Sequence, residues 1–426
     1  MAEHTHPFNP EMKECPYPRY DEWRDEGPMV WSPEVQGWLV TRYATARMIL
    51  EDHETFSSTN SVFGGPDLSH PEFPSMINLD EPEHKRLRAL VSKAFTPRTI
   101  DEAWEPRIRE YAGELLSAAV ARGDGLFDVA RDIAYPLPVK IIAEIIGVPS
   151  ERFQQFKLWS TEIAAGIGRV PEHGYGSPEE AIAAAERAMR EREIALGQDE
   201  FEPAPEGSLS AYFFGQIYDR REHPRDDLIT RLVQAEIEGR HLDDAELIAF
   251  LVLVLVAGNE TTTNLINHAV RALAMYPEEQ ARLRADRSRM GAFLEEALRW
   301  ESPIQGFYRR ANRDVVVDGV SVTGGDALLV LYGAANHDPA KYECPADFDG
   351  DRFHEAGLRS REHLAFGAGI HHCLGANLAR IEAGIAINGV LDRFAEITPV
   401  DGFETPWFDT PFFRGPQSYV VNVRYA

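Results

Sequence analysis

A single cysteine, Cys373, lies in a glycine-rich stretch directly before a pattern typical of a helix. The stretch, residues 363–380, reads HLAFGAGIHHCLGANLAR, and apolar residues continue at helical spacing over residues 376–394. The N-terminus of a helix lowers the pKa of a nearby thiol, and its free N–H groups can donate hydrogen bonds to a thiolate sulfur. Gly367 and Gly369 allow the chain to curl around the sulfur. The pattern therefore predicts that Cys373 is held as a thiolate that can bind a metal or a cofactor.

The residues around Cys373 are compatible with three roles. Phe366 is placed to shield the sulfur from water, and Gly375 lets a flat cofactor approach the backbone closely. A cysteine in an apolar stretch is, however, often only a small core residue. Zinc binding through His371, His372 and Cys373 is the third role, although adjacent residues rarely converge on one ion. The spacing fits neither a dinucleotide-binding glycine loop nor covalent haem attachment through C-x-x-C-H.

A second group of reactive side chains lies in residues 257–262, which read AGNETT. Glycine and threonine hydroxyls can loosen the i to i−4 hydrogen bonds of a helix and open a local groove. Glu260 and Thr261 place a carboxyl group beside a hydroxyl group, a pair that can deliver protons in a site that excludes water. Threonines in helices also commonly bond back to the preceding turn, so this segment alone does not identify a site.

Two further pairs have the spacing of neighbours on one helix face. Glu296 and Arg299 stand three residues apart, and His84 and Arg88 stand four residues apart. Such pairs occur on many surface helices and stabilise them little. They gain meaning only together with the segments described above.

Taken together, these segments resemble those of the cytochrome P450 monooxygenases, in particular the soluble bacterial type. Residues 366–380 resemble the haem-binding signature of that family, and residues 257–262 resemble its oxygen-activation motif. Glu296 and Arg299, followed later by Arg352 in the sequence FDGDR, resemble its structural Glu-Arg-Arg network. The resemblance covers nearly the whole chain.

The resemblance implies a mainly α fold with a small β region. In this fold, the helix-rich triangular prism of the cytochromes P450, haem b is buried between a central helix and the Cys373 loop. The resemblance also implies one domain over residues 1–426, with an N-terminal extension at residues 1–16. An acidic insertion at residues 197–210, GQDEFEPAPEGSLS, is expected near the substrate entrance. It is either a lid or a solvated loop without function.

Individual residues receive roles from the same resemblance. Cys373 is implied to be the iron ligand, and Glu260 and Thr261 are implied to be the catalytic residues that manage protons. The implied haem-binding residues are His84, Arg88, Ala257, Arg309, His371 and Cys373, and the implied structural network comprises Glu296, Arg299 and Arg352. Arg310 competes with Arg309 for contact with a haem propionate. The implied substrate contacts are Val254, Gly258, Ile304, Phe307 and Phe412.

The implied activity is the insertion of one oxygen atom of O2 into a C–H bond of a small apolar substrate, terpenoid-sized or aromatic. The reaction is either hydroxylation or oxidative O-dealkylation. The alternatives are a peroxide-driven haem-thiolate enzyme and a non-catalytic haem sensor or carrier, and the Glu260-Thr261 pair argues against both. Aromatic residues in the turn at residues 407–415 favour an apolar substrate if they line the pocket and not the core.

Electrons are expected from NAD(P)H through a ferredoxin and a ferredoxin reductase, because 426 residues leave no room for a reductase module beside the haem domain. An acidic ferredoxin requires a basic patch near Cys373. The sequence offers Lys85, Arg86, Arg98 and Arg380 for this patch.

The composition predicts a folded protein that acts in the cytoplasm. Of its residues, 44% are hydrophobic and 26% are charged, which suffices for a large core. The 43 Lys and Arg residues against 69 Asp and Glu residues give a net charge of −26, which disfavours nucleic-acid binding. The three cysteines are too few for a disulfide framework. The first twenty residues carry no secretion signal.

Apolar periodicity locates the elements that must position these residues. Residues 102–122 and 178–196 predict amphipathic helices. Residues 247–256 are apolar on every side and predict a buried central helix, and this run is shorter than the roughly 18 to 20 residues of a membrane span. Residues 29–42 and 314–332 predict β-hairpins, the second turning at an Asp-Gly pair.

Overall fold

The computed structural model of the chain describes residues 12–59, 75–92, 95–96, 99–166, 209–237, 239–354, 362–408 and 412–426. Within these residues helices predominate and the strands form small sheets, as predicted. The helix predicted at residues 178–196 and most of the acidic insertion lie outside the described residues. Leu209 and Ser210, the last two residues of the predicted insertion, are helical.

The described residues form thirteen α-helices. Their bounds are α1 (Tyr17–Glu26), α2 (Tyr43–Glu51), α3 (Glu83–Ser92), α4 (Glu105–Ala121), α5 (Pro136–Ile146), α6 (Phe153–Gly166), α7 (Leu209–Glu222), α8 (Leu228–Val233), α9 (Asp244–Met275), α10 (Pro277–Ala285), α11 (Met290–Trp300), α12 (Tyr332–Asn336) and α13 (Ala376–Arg393). The helix predicted at residues 102–122 is found as a π-helical turn, Ile100–Trp104, followed by α4.

The strands form one larger sheet and several small ones. Their bounds are β1 (Met29–Ser32), β2 (Gly37–Val40), β3 (Phe56–Ser57), β4 (Leu126–Asp128), β5 (Glu236–Ile237), β6 (Arg240–His241), β7 (Gly306–Ala311), β8 (Val315–Val317), β9 (Val320–Val322), β10 (Ala327–Leu331), β11 (Phe394–Pro399) and β12 (Val420–Tyr425). The larger sheet has the order β1-β2-β10-β7-β3, in which only β2 and β10 run parallel, and a second sheet has the order β11-β12-β4.

Both predicted hairpins are confirmed. β1 and β2 pair in antiparallel fashion, and β8 and β9 do the same around Asp318 and Gly319. These two turn residues have φ angles of 47° and 84°. Positive φ at both central positions is the requirement of a type I′ hairpin turn, which explains the Asp-Gly pair.

The central helix α9 begins with a capping box. The Asp243 carboxylate accepts a hydrogen bond from the N–H of Glu246, and the Glu246 carboxylate accepts one from the N–H of Asp243. Such caps satisfy N–H groups that a helix end leaves without partners. The helix packs against α5, α11 and α13. It is longer than the predicted apolar run and apolar enough to cross a membrane, but more than half of its apolar stretch is buried inside the protein, as in a core helix.

The loop that carries Cys373 is fitted against the end of α2. Gly369 in this loop has a φ of 67°, and a Cβ at this position would lie 2.3 Å from the carbonyl oxygen of Leu50. Both the backbone conformation and the close approach therefore require glycine. The loop continues through the 3₁₀ turn Gly369–His371 and enters α13 at Ala376.

A buried ion-pair network joins α11 to the segment that follows α12. Nε and Nη2 of Arg299 each donate to a carboxylate oxygen of Glu296 at 2.7 Å, and both side chains are fully buried. Nε of Arg352 donates to the same carboxylate at 3.1 Å. Arg299 also donates to the carbonyl oxygens of Asn336 and Asp347. The geometry expected from the E-x-x-R spacing is therefore present.

Candidate active site

Cys373 stands three residues before the first residue of α13. The backbone N–H groups of Gly375 and Ala376 donate hydrogen bonds to its sulfur, and its own N–H donates to the carbonyl oxygen of Phe366 at 2.9 Å. Burial raises the pKa of the Cys373 thiol, and the two N–H groups lower it by less. The predicted lowering of this pKa is therefore wrong for the polypeptide by itself. A thiolate at Cys373 would need a positive charge at the sulfur to supply its remaining stabilisation.

Cys373 and the central helix line the same cavity. The predicted site residues that line it are His84, Arg88, Val254, Ala257, Gly258, Thr261, Ile304, Phe307, Arg309, His371 and Cys373. Residues from four separate segments of the chain, 84–88, 254–261, 304–309 and 371–373, thus meet at one place. Glu260 and Phe412 are the two predicted cofactor, substrate or catalytic residues that do not line it.

Four basic side chains, His84, Arg88, Arg309 and His371, form a cluster on the cavity wall that we call the basic cluster. The ring centroids of His84 and His371 are 4.2 Å apart. Both ring nitrogens of His84 and Nε2 of His371 are buried and have no hydrogen-bond partner among the described residues. Burial, Arg309, His84 and Arg88 lower the pKa of His371 to about 3. Buried ring nitrogens without partners, next to the guanidinium groups of Arg88 and Arg309, fit an anionic ligand.

The position of Arg309 decides between the two candidate arginines. Arg309 is buried, lines the cavity, and donates from Nη1 to the carbonyl oxygen of Tyr308 at 2.8 Å. Arg310 is the next residue of β7, where successive side chains point to opposite faces. It does not line the cavity, so the basic cluster contains Arg309.

Thr261 and Glu260 face different surroundings. The Thr261 hydroxyl donates to the carbonyl oxygen of Ala257 at 2.7 Å, while α9 runs unbroken through the AGNETT segment. The predicted loosening of the helix is therefore not found, because the hydroxyl adds a bond without displacing the backbone one. Glu260 is buried, and its Oε1 accepts from Thr161 at 3.1 Å and from Tyr135 at 3.4 Å. Its carboxylate faces α6 and not the cavity.

Comparison with known proteins decides the family. The family profile described as Cytochrome P450 matches residues 213–423. The putative cytochrome P450 YjiB of Bacillus subtilis (strain 168) is 38% identical over 391 residues, which cover 91% of this chain and 90% of that protein. This chain belongs to the cytochrome P450 family.

Solved structures of other cytochromes P450 have a similar fold. CYP109E1 from Bacillus megaterium in complex with testosterone is 33% identical and matches with a TM-score of 0.77, covering 96% of this chain and 99% of that one. P450BioI in complex with acyl carrier protein ligated to hexadec-9Z-enoic acid is 32% identical and matches with a TM-score of 0.81, covering 97% and 99%. The chain is therefore a cytochrome P450 monooxygenase with the predicted mainly helical fold.

The cofactor of this cytochrome P450 is haem b ligated by a cysteine thiolate, as in the family and its solved structures. The cavity suits this group. The iron would supply a positive charge that stabilises a thiolate at the buried Cys373. The two propionates would supply acceptors for the buried ring nitrogens of His84 and His371. The lining of the cavity therefore fits haem b better than it fits a zinc ion or a cysteine that only fills the core.

The aromatic turn near the C-terminus reaches the cavity through Phe413. Phe412 is only 1% exposed and stacks on Phe307, with ring centroids 5.9 Å apart. Phe413 pairs its backbone with Ile304 and lines the cavity. Side chains of an extended segment alternate between faces, so Phe413 lines the cavity in place of Phe412, the residue named by the prediction.

Several cavity residues lie far from any recognisable motif. Examples are Ile77, Phe95, Ile142 and Tyr332. Ile142 fills the space beside Gly258, since a Cβ at residue 258 would lie 2.8 Å from its Cδ1. No local pattern marks these side chains, because they meet only in the folded chain. The family resemblance also implies substrate contacts from the loop at residues 61–76; most of this loop lies outside the described residues, but its last residue, Met76, lines the cavity.

A second buried ion cluster holds the loop before Cys373 and was not predicted. Oε2 of Glu295 lies 2.9 Å from Nη2 of Arg380 and 3.0 Å from Nε2 of His363. Burial raises the pKa of Glu295, but hydrogen bonds from Arg380 and His363 outweigh this and bring it to about 2. The Arg380 guanidinium also lies 4.4 Å from the centre of the Phe366 ring. A glutamate directly before the E-x-x-R segment was the available signal.

This cluster changes the expected docking patch for a ferredoxin. Arg380 is 13% exposed and bound to Glu295, so its prediction as a surface cation is wrong. Lys85 and Arg86 are exposed on α3, in agreement with their prediction. Arg98 lies outside the described residues.

Proposed function

We propose that Cys373 is the thiolate ligand of haem b, and that this cytochrome P450 inserts one oxygen atom of O2 into a C–H bond of a small, neutral, apolar substrate. The observation that carries the proposal is that Cys373, Thr261 and the basic cluster all line one cavity. A metal ligand, a hydroxyl that moves protons and cations that anchor carboxylates thus converge on the same space. In this proposal the chain acts as one domain.

Thiolate-ligated haem activates O2 for oxygen transfer when electrons are supplied. The chain holds the haem both at the iron, through Cys373, and at the propionates, through the basic cluster. The N–H groups of Gly375 and Ala376 donate to the sulfur of Cys373 and stabilise the thiolate. The basic cluster donates to the propionates, which gives charge-assisted hydrogen bonds in a buried place.

Thr261 and Glu260 have separate tasks in proton delivery. The Thr261 hydroxyl lies at the cavity and donates to the carbonyl oxygen of Ala257. In the proposed reaction it turns to donate its proton into the cavity, and Glu260 then returns a proton to it. Glu260 in turn receives protons at Oε1, where it accepts hydrogen bonds from Thr161 and Tyr135. Rotation of the Glu260 side chain links the two positions. This arrangement keeps a charged carboxylate out of an apolar cavity except during transfer, and desolvation of such a charge is costly.

The lining of the cavity supports neutral, apolar substrates. Leu253, Val254, Ile304, Phe307 and Phe413 contribute apolar surface. Among the described residues, the charged or basic side chains of the lining are the basic cluster and Glu382. The relatives CYP109E1 and P450BioI have been solved with testosterone and with a hexadec-9Z-enoic acyl group. Substrates of this apolar character suit the lining of the cavity, whether the outcome is hydroxylation or O-dealkylation.

Hexadec-9Z-enoic acid and its methyl ester provide a matched test of this substrate class. We expect the ester to bind with a Kd at least about tenfold lower than the acid, because a carboxylate loses hydration on entering an apolar cavity. Titration of the Soret band, which shifts as a ligand displaces water from the iron, gives both values. Equal Kd values, or tighter binding of the acid, contradict the substrate class.

Electrons reach the haem from NAD(P)H through a ferredoxin and its reductase in the cytoplasm. The exposed Lys85 and Arg86 lie on the same helix as His84 and Arg88 of the basic cluster, so they present positive charge near the cofactor to an acidic partner. The hydroxyl of Thr261 at the cavity favours this O2-dependent reaction over a peroxide-driven enzyme, because peroxide brings its own protons. The same hydroxyl has no task in a haem sensor or carrier.

The first test is the CO-difference spectrum of the dithionite-reduced holoprotein. We expect the strongly red-shifted Soret band of a haem thiolate in the wild-type protein and its loss in Cys373→Ser, because serine does not provide a thiolate to the iron. Cys344→Ser is the matched control and should keep the band, since Cys344 is exposed on the surface. A band retained in Cys373→Ser contradicts the assignment of the ligand.

A further inference from the structure

Residues 412–415, which we call the C-terminal strap, carry Phe413 into the cavity wall. The strap runs beside the segment that follows α11, where Ile304 and Phe413 form an antiparallel bridge. The N–H of Arg414 donates to the carbonyl oxygen of Pro303 at 2.9 Å. These backbone bonds set the direction in which the strap runs. The side chain of Arg414 then fixes how far the strap reaches toward the cavity.

The guanidinium of Arg414 is buried and holds several parts of the chain together. It donates to both carboxylate oxygens of Glu301, at 2.5 Å and 3.3 Å. It also donates to the carbonyl oxygens of Lys13 and Glu14, at 2.5 Å and 3.0 Å. The ring of Trp407 lies 4.3 Å from its Cζ. A residue next to the cavity wall is thus tied to the N-terminal segment of the chain.

Glu301, which accepts hydrogen bonds from Arg414, is itself held by other residues. Glu301 accepts a hydrogen bond from Arg271 at 3.0 Å and another from Tyr17 at 2.7 Å. The backbone oxygen of Arg414 lies 2.9 Å from Nε2 of His268 on the central helix. The strap is therefore connected on one side to α9 and on the other to α1 and the end of α11.

The Arg414–Glu301 ion pair is better suited to fixing the position of the strap than to stabilising the fold. A buried ion pair seldom stabilises a fold more than an apolar pair of the same volume would. The planar guanidinium fork does, however, fix the directions of several hydrogen bonds at once. Because neighbouring side chains of an extended segment point to opposite faces, a fixed Arg414 leaves Phe413 one orientation, toward the cavity.

We propose that Arg414 is a positioning residue for the substrate. By anchoring the C-terminal strap to Glu301 and to the segment Lys13–Glu14, it holds Phe413 in the cavity wall and so determines the shape that a bound substrate has to match. The inference rests on the proposed function, because it takes the cavity as the place where substrate binds.

Two azoles can show whether the cavity wall at Phe413 has changed shape, and they do so without knowledge of the natural substrate. Imidazole coordinates the haem iron and is too small to report on a distant wall, whereas 4-phenylimidazole carries an aromatic ring into the cavity. In the Arg414→Lys holoenzyme we expect the Kd of 4-phenylimidazole to rise about 5- to 20-fold and that of imidazole to change less than about twofold. Lysine keeps the charge, but its single ammonium does not reproduce the fork of bonds to Glu301 and the two carbonyl groups.

Phe413→Leu and a double variant show whether Arg414 acts through Phe413. Phe413→Leu alone should change the ratio of the two Kd values in the same direction. In the double variant, the additional effect of Arg414→Lys should be below about twofold, since coupled residues are not additive. Trp407→Leu loosens the guanidinium without removing an ion pair, and it should give a smaller change of the same sign even if Arg414→Lys folds poorly.

Arg220→Lys is the matched control. Arg220 is also a buried arginine, and it pairs with Asp227 at 2.8 Å and donates to the carbonyl oxygen of Gly147 at 2.9 Å. None of these three residues lines the cavity. We expect Arg220→Lys to lower the Tm while leaving both azole Kd values unchanged.

An unchanged Kd ratio in Arg414→Lys or in Phe413→Leu overturns the inference, as does a fully additive double variant. A ratio that changes equally in Arg220→Lys also overturns it, because the effect would then report general loosening of the fold. A wild-type protein that binds neither azole contradicts the proposed function instead. The two failures are therefore distinguishable.

Discussion

Thr261→Ala should consume NAD(P)H at a rate similar to the wild-type protein while forming little product. The hydroxyl of Thr261 lies at the cavity, and in the proposed function it supplies protons to reduced oxygen. Without it, we expect the product formed per NAD(P)H consumed to fall to about a tenth or lower, in line with the usual contribution of a positioned proton donor. The missing electrons should appear as hydrogen peroxide. Parallel assays of NAD(P)H, product and peroxide measure all three quantities.

Thr263→Ala is the control for this prediction. Thr263 lies two residues further along α9, is fully buried and does not line the cavity. Both substitutions place alanine in a helix and keep its propensity high, so neither should unfold α9. Coupling should stay near the wild-type value in Thr263→Ala. Unchanged coupling in Thr261→Ala would remove the proton-delivery role and reopen the peroxide-driven alternative.

Glu296→Gln should be the most destabilising of the conservative substitutions considered. It removes the shared anion of Arg299 and Arg352, of which Arg299 is fully buried. Breaking a buried pair by removing one partner costs about 3–5 kcal/mol, because the other charge stays buried without compensation. That is a large fraction of the roughly 5–15 kcal/mol that keeps a typical protein folded. We expect low haem content and a much lower midpoint of denaturant unfolding.

Glu110→Gln provides the comparison at the same helical spacing. Glu110 pairs with Arg107 three residues earlier, but both side chains are well exposed, and such pairs contribute at most about 0.5 kcal/mol. The difference between the two variants therefore isolates the effect of burial. A free energy of unfolding of Glu296→Gln within about 1 kcal/mol of wild type would mean that the network is not needed for the fold.

The sequence predicts those parts of the site that depend on neighbours in the chain. Cys373, its glycines and the start of α13 follow from local rules on helix ends and positive φ. The thiol pKa was predicted with the wrong sign because burial depends on the whole fold. Gly369 shows the same division: its conformation is a local property, but its contact with the carbonyl oxygen of Leu50 joins segments more than 300 residues apart.

Side-chain direction is the second source of difference. Glu260 and Thr261 are adjacent, yet they face different surroundings because each residue of a helix turns by about 100°. Phe412 and Phe413 differ for the analogous reason in an extended segment. The cluster of Glu295 with His363 and Arg380 has no spacing rule at all, since its members come from three separate segments. Residue types near a site are thus easier to predict than their orientation.

Because β2 pairs with β10, the larger sheet cannot be completed until β10 has been synthesised. The residues of β2 leave the ribosome about 290 residues before their partners in β10, which is roughly 15–60 s at ordinary rates of synthesis. Until β10 is made, β2 lacks the neighbour that covers it in the finished sheet, and an uncovered strand edge invites pairing with other chains. We therefore expect the yield of this cytochrome P450 to depend on conditions that protect one short strand until about three quarters of the chain has been made.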